Sequence, residues 1–164
     1  MAAGATYTPI ATTTLSSNQT TVTFSSISTS YTDLVLISNA KFTAAGDYSG
    51  RMWFNSDTGS NYSTTFLYGN GSSAGSSRPS SPTAIYCGRF DNEWGNGITH
   101  IMNYSNTTTF KTVIDRGNNS QAIVCTTANL WRSTSAITTI SFAPDAGYTW
   151  SSGSTFTLYG IASA

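Results

Sequence analysis

The sequence consists of many short runs of β-branched and aromatic residues, and no stretch of it has the periodicity of an amphipathic helix. Clusters of Gly, Asn and Asp separate the runs, as at 45–47, 91–97 and 117–119, and such clusters favour turns. Many short strands without helices predict an all-β fold, an antiparallel β-sandwich of the jelly-roll type. Ten runs are predicted to be strands: TTVTF, TDLVLISNAKF, GRMWFN, STTFLYG, TAIYCGRF, GITHIMNY, FKTVIDR, QAIVCTTANLW, AITTISF and STFTLYGI.

An immunoglobulin-like sandwich is the alternative fold. That fold places a Trp between two paired cysteines, and Trp94 does lie between Cys87 and Cys125. However, Trp94 belongs to the turn-rich segment DNEWGNG and not to a predicted strand. The jelly roll is therefore preferred.

The chain length of 164 residues is typical of one domain. Residues 20–164 are predicted to form this sandwich, and the run TDLVLISNAKF is predicted to be buried on both sides. Residues 1–19 contain few bulky side chains and are predicted to be an extended arm that orders against a neighbour. The segment GNGSSAGSSRPSSP at 69–82 is predicted to be a long loop.

The surface is predicted to be polar but almost uncharged. Only 9% of the residues are charged and the net charge is zero, whereas Ser and Thr make up about a third of the chain. Nucleic acid and anionic membranes attract a basic surplus, so we expect neither as a partner. A neutral surface gives little repulsion between copies, which favours assembly into an oligomer or a larger particle.

No motif in the sequence indicates a cofactor. Asn55, Asp57, Gly59 and Asn61 alternate like the start of a calcium loop, but no acidic residue follows where a bidentate ligand is needed. A tight Asx-type turn is the preferred interpretation, so we expect no metal and no cofactor. The cysteines lie in apolar runs, which favours buried free thiols over a disulfide bridge.

The residues suited to catalysis are few, and we expect no enzymatic activity. His100 is the one histidine, and strand alternation places it on one face with Ile98 and Met102. Asp91 and Glu93 are the one close pair of acids, in a turn-rich segment where solvation is the simpler interpretation.

Aromatic residues near the predicted strand ends are the candidate site. Such rings, beside Asn, Asp and Ser, can stack on sugars, but they can equally fill the ends of a sandwich or a subunit interface. The second interpretation is preferred. The candidate glycan or interface residues are Trp94, Tyr104, Trp131, Tyr148 and Trp150.

Several segments resemble a family of small structural proteins of tailed phages, found in cyanophages and other marine phages. The resemblance extends from about Tyr7 to Ala164, except for 69–97 and 118–132. It rests on the segments YTPIATTTL, VTFSSISTSYTDLVL, FNSDTGSNYS, NYSNTTTFKTV, SAITTISF and GSTFTLYGIASA.

The resemblance implies a virion component that is oligomeric, often a trimer, and carries no catalytic residues. The main hypothesis is a capsid decoration protein, made in the host cytoplasm, that binds the major capsid protein or another virion protein and stabilises the head. The alternative hypothesis is a tail-fibre or receptor-binding module that recognises a host surface glycan.

Overall fold

A computed structural model gives the fold of residues 6–120 and 123–162. These residues form strands, turns and bends, and no helix capable of crossing a membrane occurs among them. The strands form two antiparallel sheets that pack face to face. The prediction of an all-β sandwich is therefore confirmed.

Twelve strands make up the two sheets. They are β1 (Tyr7–Thr14), β2 (Val22–Phe24), β3 (Asp33–Ala40), β4 (Tyr48–Phe54), β5 (Tyr62–Gly69), β6 (Ala74–Ser77), β7 (Ile85–Phe90), β8 (Gly95–Ile101), β9 (Lys111–Asn118), β10 (Val124–Trp131), β11 (Ile140–Pro144) and β12 (Thr155–Ile161). The large sheet has the order β1-β12-β3-β8-β9-β10-β5-β6, and the small sheet has the order β2-β11-β4-β7.

Eight of these strands have the connectivity of a jelly roll. Four neighbours in the large sheet, β1-β12-β3-β8, lie opposite the four strands of the small sheet, β2-β11-β4-β7. Within this unit, the chain changes sheet between β1 and β2, β2 and β3, β3 and β4, β7 and β8, β8 and β11, and β11 and β12, and stays in the small sheet from β4 to β7. This alternation between two four-stranded sheets is the jelly-roll pattern.

Two hairpins extend the large sheet beyond that eight-stranded unit. The β5–β6 hairpin is inserted between β4 and β7, and the β9–β10 hairpin between β8 and β11. β9 pairs with β8, and β10 pairs with β5, so the two insertions join into one continuous extension of the sheet.

The centre of the core is an aromatic cluster around Trp150. The centroid of its indole ring lies 5.0–5.1 Å from the rings of Phe42, Phe90, Phe142 and Phe156. All five residues are at most 1% exposed, and the indole Nε1–H donates to the Phe142 carbonyl oxygen at 3.3 Å. The cluster therefore joins both sheets and satisfies the one polar group of the indole.

Each of the ten predicted runs overlaps a strand, but two strands of the described chain were not predicted. β1 lies within the segment predicted to be a separate arm, and β6 lies within the segment predicted to be a loop. The arm prediction is wrong for Tyr7–Thr14, because this segment pairs with β12 inside the chain's own sheet. The start of the predicted arm, residues 1–5, lies outside the described residues.

The 69–82 segment is also more ordered than predicted. It contains a tight turn in which the Asn70 side-chain oxygen accepts hydrogen bonds from the backbone N–H groups of Ser72 and Ser73, at 3.1 and 2.8 Å. The turn returns the chain as β6, which pairs with β5. The prediction of a long loop is therefore wrong for the first half of this segment, which forms a turn and a strand.

Burial along two central strands distinguishes the two faces of the large sheet. In β12, Phe156 and Leu158 face the core and Tyr159 lies half-buried on the opposite face. In β3, by contrast, Ile37 is 40% exposed. The prediction that this run is buried on both sides is therefore wrong at Ile37, because no second layer covers the outer face of the large sheet in the described chain.

The core cluster predicts that Phe90→Ala lowers the free energy of unfolding by about 3–5 kcal/mol, because it removes a fully buried ring and leaves a cavity. Phe110→Ala is the matched control, since Phe110 is 51% exposed and its loss should change stability by no more than about 0.5 kcal/mol. Urea unfolding monitored by circular dichroism measures both. Equal effects of the two substitutions would contradict the assignment of the core.

Candidate functional site

One end of the sandwich is formed by four connections that are bonded to one another. They join β1 to β2, β3 to β4, β7 to β8 and β11 to β12. Backbone hydrogen bonds link Leu15 to Ser154 at 2.9 Å, Phe42 to Asp91 at 2.6 Å, and Thr43 to Thr149 at 3.0 Å. These hydrogen bonds connect the four loops into one surface, here called the braced end.

The five candidate aromatic residues do not form one surface. Tyr104, Trp131 and Trp150 are at most 2% exposed, and each donates its polar hydrogen inside the protein. Trp150 belongs to the braced end, whereas Tyr104 and Trp131 lie at the opposite end of the sandwich. These three residues fill the ends of the sandwich, so they cannot contact a glycan or a partner.

The two remaining candidates do reach the surface of the braced end. Trp94 is 43% exposed, and the Lys41 ammonium lies 5.2 Å from its ring centroid, within cation–π range. Tyr148 is half-buried, with its ring stacked on Phe42 at 5.7 Å and close to the exposed Tyr48 at 5.2 Å. The sequence therefore identified two of the accessible aromatic residues and missed Tyr48.

The acidic pair is not arranged for catalysis. Asp91 is fully buried, and its carboxylate accepts hydrogen bonds from the Glu93 backbone N–H at 2.7 Å and the Ser120 hydroxyl at 3.1 Å. The prediction that both acids are solvated is therefore wrong for Asp91, while the Glu93 side chain is exposed. Asp91 acts in the structure as the acceptor that shapes the turn between β7 and β8.

The carboxylate of Asp57 is engaged by protein donors, as an Asx-type turn requires. It accepts from the Trp131 indole N–H at 2.7 Å, the Gly59 backbone N–H at 2.9 Å and the Asn61 amide at 3.0 Å. Partial burial raises the pKa of Asp57, but these hydrogen bonds outweigh that effect, so the pKa is lowered. No cluster of three or more potential metal ligands occurs in the part of the chain that the structure describes.

His100 lies on the outer face of the large sheet, beside Ile98 and Met102 as predicted. Its Nε2 atom is 2.9 Å from the Asp33 carboxylate, whose second oxygen accepts the Asn103 backbone N–H at 2.8 Å. The pair fixes the imidazole at the margin of this face. No nucleophile is bonded to it among the described residues.

The outer face of the large sheet carries the feature that the sequence analysis missed. Cross-strand pairing places Ile37 of β3 opposite Ile98 of β8, and places His100 opposite Ile114 of β9. Together with Tyr159, Val35 and Met102 they form a continuous apolar surface, here called the outer stripe, which consists of Tyr159, Val35, Ile37, Ile98, His100, Met102 and Ile114.

Six of the seven side chains of the outer stripe are exposed or half-buried, whereas Val35 is buried, and the surface is shallow. Ile37 and Ile114 are 40% and 39% exposed, and a depression of about 220 Å³ lies between Tyr7, Val35 and Ile114. Contiguous apolar surface of this kind on a rigid sheet is typical of sites that contact other proteins. Alternation in the sequence placed His100 on one face with Ile98 and Met102, but it did not show that this face is the outer one.

A buried polar cluster lies between the sheets at the start of the hairpin extension. The Asp115 carboxylate accepts the Gly88 backbone N–H at 2.6 Å and the Thr99 hydroxyl at 2.7 Å, and the carboxylate is almost fully buried. Burial raises the pKa of Asp115 to about 6, and the two hydrogen bonds only partly oppose this. Cys87 and Cys125 are both buried and free, and burial, followed by the nearby Asp115 charge, raises the pKa of both thiols.

Close backbone packing seals this cluster. A Cβ atom on Gly117 would lie 2.9 Å from the Cα atom of Gly88 in the facing sheet, a separation that only glycine allows. Neither the Asp115 carboxylate nor the Cys87 thiol can therefore contact a substrate in this conformation. The cluster has the perturbed pKa values of a reactive site but lacks its access to solvent.

No protein-family model matches this sequence, and no curated protein matches it either. The resemblance to tailed-phage structural proteins therefore stays a prediction.

The burial of Asp115 predicts a specific dependence of stability on pH. Because the pKa in the folded protein, about 6, lies above the ordinary value of 3.8, the folded state binds the proton more tightly. The contribution of Asp115 to the free energy of unfolding therefore falls as the pH rises from about 4 to about 6, by about 3 kcal/mol in total.

Asp115→Asn should remove this part of the pH dependence, and Glu93→Gln, at an exposed position, should leave it unchanged. Urea unfolding at pH 4, 5, 6 and 7 measures the three curves. Parallel curves for the wild type and Asp115→Asn would show that Asp115 is not the titrating group.

Proposed function

We propose that this chain is a structural protein of a tailed-phage virion, a capsid decoration protein that binds the head shell and stabilises it. The observation that carries the proposal is the outer stripe, an accessible apolar surface on the rigid large sheet. The segments that resemble tailed-phage structural proteins and the uncharged, hydroxyl-rich composition support the same role.

The composition of the outer stripe is suited to a protein partner. It combines aliphatic side chains with Tyr159, Met102 and His100, and interface cores are enriched in aromatic residues and Met and depleted in charge. Two charged groups share this face: Asp33, which bonds to His100, and Arg116, which lies opposite Ile98 on the neighbouring strand β9. Such a surface gains free energy by excluding water from its apolar side chains.

The contact with the head is suited to conditions of variable salt. Burial of apolar surface does not depend on ion pairs, and ion pairs on a surface are weakened by screening at high ionic strength. With a net charge of zero, the chain brings no long-range repulsion to a crowded shell. We further propose that the chain acts as a homo-oligomer in the virion, with a trimer favoured by the resemblance.

A second candidate function is recognition of a host glycan at the braced end. The specific observation in its favour is Trp94, which is 43% exposed and lies beside the Lys41 ammonium. An exposed indole with adjacent polar groups can stack on a sugar ring. A glycan array decides this candidate, because a decoration protein should bind none of the glycans and a receptor-binding module should lose its signal with Trp94→Ala.

The main proposal predicts that the wild-type protein binds saturably to expanded heads of the phage that encodes it. Ile98→Asp should weaken this binding at least about tenfold, because it buries a charge at the centre of the contact. Thr23→Asp is the control, since Thr23 is exposed on the outer face of the small sheet. Sedimentation of labelled protein with the heads measures the binding.

Thermal unfolding of both variants checks that each remains folded. Failure of the wild type to bind the heads would contradict the decoration role. Binding that is equally tight in Ile98→Asp would show that the outer stripe is not the contact surface.

A further inference from the structure

A polar cleft lies where the start of β5, the end of β10 and the connection from β6 to β7 meet. Its volume is about 430 Å³. Two arginines, Arg78 and Arg132, line it together with Ser63, Ser80 and Ser81. No acidic residue contributes to the lining. The cleft is therefore a place where positive charge and hydroxyl donors converge.

This convergence stands out against the low charge of the chain. The sequence has seven basic residues in 164, balanced by seven acidic ones. The ion pairs found among the described residues involve Arg51, Arg89 and His100, and neither arginine of the cleft takes part in one. Two of the seven cations thus face one cleft without a carboxylate to neutralise them.

The guanidinium of Arg132 is held in position by neutral acceptors. Its Nη1 atom donates to the Tyr62 carbonyl oxygen at 2.9 Å and to the Ser63 hydroxyl at 2.5 Å, and its Nη2 atom donates to the Ser60 carbonyl oxygen. Neutral acceptors orient the group but leave its positive charge in place. Its Nε–H has no acceptor in the part of the chain that the structure describes, so this edge of the guanidinium is available for a ligand.

Arg78 is the second arginine of the cleft, and its guanidinium is less constrained than that of Arg132. Its side chain is exposed, and the described residues provide no acceptor for its guanidinium. The segment that follows it is stiff, because Pro79 and Pro82 restrict the backbone. Ser81 has a φ of 46°, a left-handed conformation that is costly for a serine and more so immediately before a proline. The loop therefore holds its hydroxyl groups in a fixed place at the wall of the cleft.

We propose that this cleft binds an oxyanion, namely the carboxylate or phosphate group of a small molecule or of a sugar. Arg132 supplies a fixed, charged N–H donor, Arg78 closes over the anion from the loop side, and the serine hydroxyls donate hydrogen bonds to the remaining oxygen atoms of the anion. Arginine suits planar or tetrahedral oxyanions because its N–H groups form paired, charge-assisted hydrogen bonds. This site is independent of the outer stripe and of the head-binding proposal.

The experiment is a titration of the ¹⁵N-labelled protein followed by ¹H–¹⁵N NMR, with inorganic phosphate, glucuronate and neutral glucose as separate probes at constant ionic strength. We expect saturable shifts of the Ser63, Ser80 and Ser81 amides with phosphate or glucuronate, and none with glucose. Saturation by phosphate alone would assign a phosphate group, and saturation by glucuronate alone would assign an acidic sugar.

Arg78→Gln should weaken the binding of the anion about fivefold, the effect of one exposed charged contact. Arg116→Gln is the matched control, because Arg116 is also exposed but lies on the outer face of the large sheet, away from the cleft. Three results would overturn the proposal: no saturable binding of either anion, an unchanged affinity in Arg78→Gln, or an equal loss in Arg116→Gln. Loss of head binding by Ile98→Asp would affect none of these measurements.

Discussion

Trp150 lies in the connection between β11 and β12, yet its ring occupies the space between the two sheets. Its aromatic neighbours come from β7, β11 and β12 and from the segment after β3, so one side chain contacts both layers. Its backbone exchanges two hydrogen bonds with Gln19, at 2.8 and 3.0 Å. The position of the braced end, and hence of Trp94 and Tyr148 on it, depends on this packing.

The sequence predicted the strands with buried side chains and missed the two strands without them. β1 and β6 are the outer strands of the large sheet, and each has a partner on one side only. Their side chains, largely Thr, Ser, Ala and Gly, lie mostly at the surface, so no hydrophobic alternation marks them. Their pairing with β12 and β5 depends on backbone hydrogen bonds that composition cannot indicate.

The candidate site was harder to predict, because a residue type does not say which way its side chain points. Tyr104, Trp131 and Trp150 have polar neighbours in the sequence, but in the structure their polar hydrogens are accepted by the Ser28 and Phe142 carbonyl oxygens and the Asp57 carboxylate inside the protein. The outer stripe, by contrast, was not predicted at all. Ile37, Ile98 and Ile114 are far apart in the sequence, and only the cross-strand register makes them one surface.

The pairing of the two inserted hairpins determines which strand forms the edge of the large sheet. Because β10 pairs with β5, each of these two strands satisfies the backbone hydrogen-bonding edge of the other. Neither hairpin would therefore be fully paired without the other. The free edge on this side is shifted outward to β6, a strand of only four small residues, Ala-Gly-Ser-Ser. A short strand of this kind is a poor template for another chain. The insertions thus widen the sheet and leave, on this side, an edge that disfavours strand addition by another chain.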